Sequence, residues 1–302
     1  MPRGERGWTA WLYVLPALLL LALFLVLPIA QTVWLSLHGG TGFSPTEYVG
    51  LQNYVQLLSN DSFFLNLSEW PPSGAMVNSF LWLVLFTSGT VSLGLLIAIL
   101  ADRVRYESIL KAVIFVPMVI SATATSVIFR FVYSPDPTIG VVNALLTRIV
   151  PGLQPVPWLG RANLVNVALI GAGVWIWTGL AMTVLSAAYK SLDREVLEAA
   201  SVDGANPWQT FWRITLPMMA APIGVVSITM VINALKTLDL VLVMTQGGPR
   251  NASRTIAFSM FWEVFNNSRA GYGSAVAVIL LILVAPIVVF QIRRFRAERS
   301  AG

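Results

Sequence analysis

Long apolar runs fill most of this chain, and the polar residues are gathered between them. The hydrocarbon core of a bilayer takes about 20 apolar residues of helix. Six stretches reach that length, at approximately 11–37, 76–101, 110–133, 164–189, 218–243 and 272–292. The window from Trp8 to His38 holds no Asp, Glu, Lys or Arg. It follows Arg3 and Arg6 as a leader would, but it is too long for one and lacks a small-x-small cleavage site, so it reads as a retained span. There is no internal repeat and no polar loop long enough for a second soluble domain. The pattern predicts an all-α polytopic membrane protein of one domain, 1–302, with six transmembrane helices.

One polar interlude, 190–217, interrupts the rhythm. Ser191 or Asp193 can cap a first short helix, with Glu195 in its opening turn. Asp203-Gly204 ends that helix, because glycine enters the left-handed conformation without a Cβ clash. Asn206 caps a second helix, Pro207 sits where a missing N–H costs nothing, and Gln209 is placed to close a capping box. Trp208, Phe211, Trp212 and Thr215 recur at i, i+3, i+4 and i+7, which predicts one bulky, largely apolar face before Leu216-Pro217 closes the helix. The result is a helix–glycine–helix bracket with a knob, a shape that inserts into a groove on a partner. The plainer alternative is an amphipathic hairpin capped for its own stability.

Composition supports the membrane assignment. Of 302 residues 56% are hydrophobic and 11% charged, with mean hydropathy +0.74, whereas soluble domains run at about a quarter charged. A net charge of +5 would suggest nucleic acid in a soluble chain. Here the basic residues adjoin apolar runs and set orientation, so no nucleic-acid partner is expected. With the N-terminus inside, the cytoplasmic segments hold Arg3, Arg6, Arg103, Arg105, Lys111, Lys190, Arg194, Arg213, Arg293, Arg294, Arg296 and Arg299, twelve of the nineteen Lys and Arg. The first outer loop, 38–75, has none and carries Glu47, Asp61 and Glu69. Both termini and the bracket are therefore expected in the cytoplasm, with Arg293-Arg294-Phe295-Arg296 as a stop signal. Absence of cysteine excludes disulfides and thiolate chemistry. A single histidine, His38, excludes a histidine metal cluster, and its place after the first run predicts an interfacial residue.

The bracket matches the pattern E-A-A-x3-G-x9-I-x-L-P without departure, at Glu198, Ala199, Ala200, Gly204, Ile214, Leu216 and Pro217. This resembles the signature loop of binding-protein-dependent ABC importer permeases, whose loop is cytoplasmic and docks its helix in a cleft of the ATPase subunit. Gly50-Leu51-Gln52-Asn53-Tyr54 resembles a stretch of the MalF-like member of sugar permease pairs, although a short surface helix capped near Asn53 explains it as well. Phe115-Val116-Pro117-Met118, Val142-Asn143-Ala144-Leu145 and Val156-Pro157-Trp158-Leu159 look most like the α-glucoside branch. The resemblance implies a type I importer permease in a bacterial or archaeal inner membrane. Its partners would be a second, MalG-like permease, an ATPase dimer carrying ATP and Mg, and an extracytoplasmic solute-binding lipoprotein. This chain would bind no cofactor or metal and would be no enzyme. It also implies that Glu198 pairs with a basic residue of the ATPase, that Asp203-Gly204 makes the turn, and that Trp208 and Phe211 form the knob.

The chain has no G-x-x-x-x-G-K phosphate loop, no H-E-x-x-H and no paired-carboxylate cluster, so any ATPase belongs to another chain. Within the fifth stretch Lys236 and Asp239 stand three apart with Asn233 a turn earlier. They read either as a self-neutralising ion pair or as polar groups facing a solute cavity. In the fourth stretch Trp175 and Trp177 offer aromatic faces suited to sugar rings, and equally to core packing. Carried over by distance from the signature loop, the resemblance adds Trp177, Leu180, Asn233, Lys236 and Thr237 as solute-path candidates. Segment 134–162 is stiffened by prolines, and Thr245-Gln246-Gly247-Gly248-Pro249 is a turn resembling one that such permeases carry on the outer side. The expected cargo is an α-glucoside of the maltose or trehalose type, with glycerol phosphates or glycerophosphodiesters as the alternative. An ion-coupled carrier would leave the bracket unexplained.

Overall fold

The computed structural model describes residues 7–43, 47–68, 70 and 72–301. Arg3, Arg6 and Glu69 lie outside the described residues, as do the side chains of Arg294, Arg296 and Arg299. The apolar runs fold as helices because a backbone in hydrocarbon must satisfy its own hydrogen bonds. In chain order they are α1 (Tyr13–Ser36), α2 (Gln52–Val55), α3 (Ala75–Ala101), α4 (Glu107–Val119), α5 (Ala122–Val132), α6 (Val141–Ile149) and α7 (Val165–Lys190). There follow α8 (Arg194–Val202), α9 (Pro207–Met218), α10 (Ala220–Leu235), α11 (Asp239–Met244), α12 (Ile256–Phe261) and α13 (Ala270–Ala301). A two-residue hairpin, β1 (His38–Gly39) against β2 (Glu47–Tyr48), follows α1. α1, α3, α7 and Ala270–Gln291 of α13 are each long and apolar enough to cross a membrane. The bent pairs α4–α5 and α9–α10 bring the number of candidate spans to six.

The chain forms two compact units, one of residues 1–61 and 259–282 and the other of 62–258 and 283–302. In the first unit Asn53 is buried inside α2, where its side-chain amide donates to the Ser36 carbonyl at 2.9 Å and the His38 carbonyl at 3.0 Å. Asn53 is thus a strap across the end of α1 and not a helix cap. His38, just past the end of α1, is buried against its protein neighbours. Its ring lies 3.9 Å from that of Trp34 and its Nδ1 is 2.7 Å from the Trp34 carbonyl oxygen. Tyr272 donates to Asp61 at 2.7 Å, and Glu263 pairs with Arg269 at 2.6 Å.

The second unit is built around α7. A Cβ on Gly94 of α3 would lie 2.6 Å from that of Ala181, and one on Gly179 would lie 2.7 Å from the Ile114 carbonyl of α4. Small residues let α7 press on both neighbours, the packing that membrane helices use in place of a hydrophobic driving force. Trp82, Phe86, Leu169, Met182, Leu185 and Met230 fill the core. Amides tie one end of the unit together: Asn166 donates to Asn78 at 2.9 Å and to the Ala252 carbonyl at 2.8 Å, and Asn78 donates to the Arg254 carbonyl at 2.9 Å. Such bonds between membrane helices contribute about 0.6–2 kcal/mol each. Gln246 and Gly247 both take positive φ in the Thr245–Pro249 turn, and Ser253 fastens it by donating to the Gly248 carbonyl at 2.6 Å.

Two expected spans are broken. Stretch 110–133 divides at Ile120-Ser121, where α4 and α5 meet at 102°. Pro117 removes one donor from the last turn of α4, and Ser121 accepts from the Ala124 N–H at 3.2 Å to cap α5. Stretch 218–243 also departs from a single rod. α9 and α10 meet at 69° at Met219, and the helix stops again at Lys236 before α11 begins at Asp239.

Candidate functional site

The bracket is α8, a glycine turn and α9. Asp193 caps α8 by accepting from the Glu195 N–H at 2.9 Å. Gly204 stands at φ +82 with no atom within 4 Å of a would-be Cβ, so backbone conformation alone demands glycine there. The Ala205 N–H reaches back to the Ala200 carbonyl at 3.0 Å, satisfying the end of α8. Asn206 and Gln209 then form the capping box, with Pro207 first in the helix.

Burial sorts the motif into two roles. Ala200 and Thr215 are buried and Ile214 and Leu216 half-buried, so these positions hold the bracket to its own bundle. Glu198, Ala199, Asp203, Gly204 and Trp208 face outward. Among the described residues Glu198 has no ion-pair partner, and Trp208 is 70% exposed. One expectation needs correction. Residues Phe211–Thr215 form a wider π-type turn, which shifts the 3.6-residue register. Phe211 lines a groove with Ile99 and Tyr189, and the exposed aromatic pair is Trp208 with Trp212, whose rings lie 5.6 Å apart. Leu216-Pro217 closes the helix as expected: it ends at Met218, one residue later, and the chain bends by 69° into α10.

The second element is a cavity of about 470 Å³ within the second unit, formed where the helices break. Met118–Ala122 line it from the α4–α5 break, Lys236–Leu240 from the α10–α11 break, Ile176 and Trp177 from α7 and Asn233 from α10. Discontinuous helices at membrane depth expose backbone groups to a cavity, which is how transporter sites present hydrogen-bonding groups inside a bilayer. Four expected residues thus meet Trp177: Asn233, Lys236, Thr237 and Asp239. The ion-pair reading of Lys236 and Asp239 fails, because the intervening break separates them and neither has an ion-pair partner among the described residues. Asn233 donates to the Thr229 carbonyl at 2.9 Å, which leaves its side-chain oxygen as an acceptor.

Trp175 is not in this cavity. Two residues from Trp177 and so on another face of α7, it stacks edge-on against Phe129 at 5.3 Å and lines a separate apolar cleft with Val113 and Pro117. Leu180 is half-buried and outside the cavity lining. Ser121 and Met118 were not foreseen as lining residues, although Pro117 with a serine four residues later was a legible sign of a helix stopping and restarting. Further out, Asn143 of α6 is buried. Its amide donates to the Ser134 and Val156 carbonyls at 2.8 and 2.9 Å, and its oxygen accepts from the Val156 N–H at 2.9 Å. It joins two of the stretches that carried the family resemblance.

Comparisons agree with this anatomy. Residues 90–298 match the family described as binding-protein-dependent transport system inner membrane component. The chain is 46% identical over 293 residues to the osmoprotective compounds uptake permease protein GgtC of Synechocystis sp., covering 96% of this chain and 99% of that one. It is 40% identical to the alpha-glucoside transport system permease protein AglF of Rhizobium meliloti, covering 97% and 83%. The fold matches a chain of a bacterial ABC transporter involved in the import of the acidic polysaccharide alginate, with TM-score 0.77 at 22% identity, covering 97% and 96%. With the bracket and the broken helices in place, the chain belongs to the family of binding-protein-dependent transport system inner membrane components, the permease subunits of ABC importers.

Proposed function

We propose that this chain is one of two permease subunits of an ATP-driven importer for an uncharged glucoside, acting as a single transmembrane domain with both termini in the cytoplasm. The observation that carries the reading is the cavity. The aromatic face of Trp177 stands there with the Asn233 amide, the Thr237 hydroxyl and one charge of each sign, Lys236 and Asp239. A sugar offers apolar C–H faces to a ring and hydroxyls that both donate and accept, so this mixture suits it. The name of AglF, an alpha-glucoside transport system permease protein, points the same way. A phosphodiester would be drawn by Lys236 but repelled by Asp239, which makes it the weaker alternative.

In this reading a separate ATPase dimer binds ATP and Mg, and its closure moves the bracket. Glu198 pairs with a basic residue of the ATPase, and Trp208 with Trp212 fills an apolar pocket there. The bundle then rocks from inward- to outward-facing and receives solute from an extracytoplasmic binding protein. The test is ATP hydrolysis by the reconstituted complex with its binding protein, across trehalose, maltose, maltotriose and glycerophosphocholine. Stimulation by a glucoside supports the reading; stimulation by the phosphodiester alone ends it.

A further inference from the structure

At the end of the second unit that carries the bracket, one carboxylate gathers two lysines from different helices. Glu107, the first residue of α4, accepts from Lys111 one turn later and from Lys190 at 2.7 Å, the last residue of α7. Lys190 also lies 3.7 Å from Asp102, in the turn after α3. Lys111 in turn donates to Ser186 of α7. The Glu107 and Lys111 side chains are 22% and 21% exposed, while Lys190, the partner from α7, is 47% exposed. Glu107 also sits at the N-terminus of α4, where the helix dipole favours a negative charge.

The neighbours of this cluster give it a role. Three residues after Lys190 comes Asp193, the cap of α8, and the groove against α8 is lined by Lys190, Asp102 and Glu198 together. In the other direction α4 runs from Glu107 to the Ile120-Ser121 break that lines the cavity, touching α7 backbone to backbone at Ile114 and Gly179 on the way. A thirteen-residue rise from Glu107 to Ile120 spans about 20 Å. We infer that Glu107 is a positioning residue for transport: it clasps α4 to the end of α7, so that α4, α7 and the bracket move as one lever and a displacement of α8 reaches the cavity wall. Without the clasp α4 still meets α7 at Lys111–Ser186 and near Gly179 but loses its charged tie to the residue that leads into the bracket, and less of the bracket's motion reaches the break. This inference rests on the proposed importer function.

The test uses the whole complex in vesicles, with ATP hydrolysis and trehalose uptake measured on the same preparation. Glu107→Gln is expected to assemble normally and keep basal ATP hydrolysis, while trehalose taken up per ATP falls at least about fivefold, the lower end of ordinary coupling energies. Glu107→Lys is expected to do worse, and, compared in an Asp102→Asn background that removes the carboxylate 3.7 Å from residue 190, Glu107→Lys combined with Lys190→Glu should recover more than half of the ratio by returning a carboxylate between two ammonium groups. A residue that merely stabilised the fold would lower assembly and uptake together and leave the ratio unchanged. An unchanged ratio in Glu107→Gln, or a double variant no better than Glu107→Lys, overturns the clasp. Hydrogen exchange over residues 107–122 decides it without transport. Faster exchange in Glu107→Gln supports the clasp and equal exchange overturns it, even where the unaltered complex imports no sugar and the functional reading alone has failed.

Discussion

Asn206 and Gln209 hold each other's backbone at the start of α9: the Asn206 side chain accepts from the Gln209 N–H at 2.9 Å, and the Gln209 side chain accepts from the Asn206 N–H at 3.0 Å. Both are exposed, so the box is the local device that starts α9. Asn206→Ala is expected to cost about 1 kcal/mol of local helix stability. The measurement is amide exchange over 207–212, which should quicken about fivefold, the equivalent of that energy. Exchange as slow as in the unaltered chain would show that packing, not the cap, holds α9.

Gly204→Val should uncouple ATP hydrolysis from uptake. The site is sterically open, so the cost is conformational, about 1–2 kcal/mol for a residue with a Cβ in the left-handed region. Gly204→Asn should keep most activity, because asparagine visits that region more readily. Equal behaviour of the two variants in an uptake-per-ATP assay would rule out backbone conformation as the cause.

The cavity gives a prediction whose sign separates two cargos. Asp239→Asn should raise the trehalose concentration for half-maximal ATPase stimulation about tenfold, since hydrogen bonds to a charged acceptor contribute about 1.5–3 kcal/mol. Were the cargo anionic, the same change would remove a repulsion and strengthen its stimulation. Trp177→Ala should weaken sugar stimulation about three- to tenfold, within the range of aromatic contacts, whereas Trp175→Ala, which faces Phe129, should not.

Asn143→Ala leaves the Val156 N–H and two carbonyls without their partner in a buried site. A loss of about 1–3 kcal/mol is expected, read as a lower melting midpoint of the purified complex. Uptake per ATP at a temperature below that midpoint should stay the same, since Asn143 touches neither bracket nor cavity.

What could be read beforehand follows the range of the forces involved. The bracket was legible nearly residue by residue, because Asp193, Gly204, Asn206, Pro207 and Gln209 act on their own backbone within a few positions. The half-buried place of Phe211 was not, because the groove it lines is made with Ile99 and Tyr189 of other elements. Apolar runs revealed the amount of membrane helix but not its breaks. Hydropathy counts side chains and is blind to whether Ser121 turns back to cap, or whether Lys236 ends a helix before Asp239 starts another. Asn53 was misjudged for a different reason: its partners come from the tertiary fold, at Ser36 and β1.

The hydrogen bonds that shape the bracket's caps and glycine turn begin and end between residues 193 and 210. Such an object is transplantable. Exchanging this segment for its counterpart in a related permease should redirect the chain to another motor while leaving its cargo untouched, so that one energy-supplying subunit can serve many permeases and specificity can diversify without rebuilding the drive.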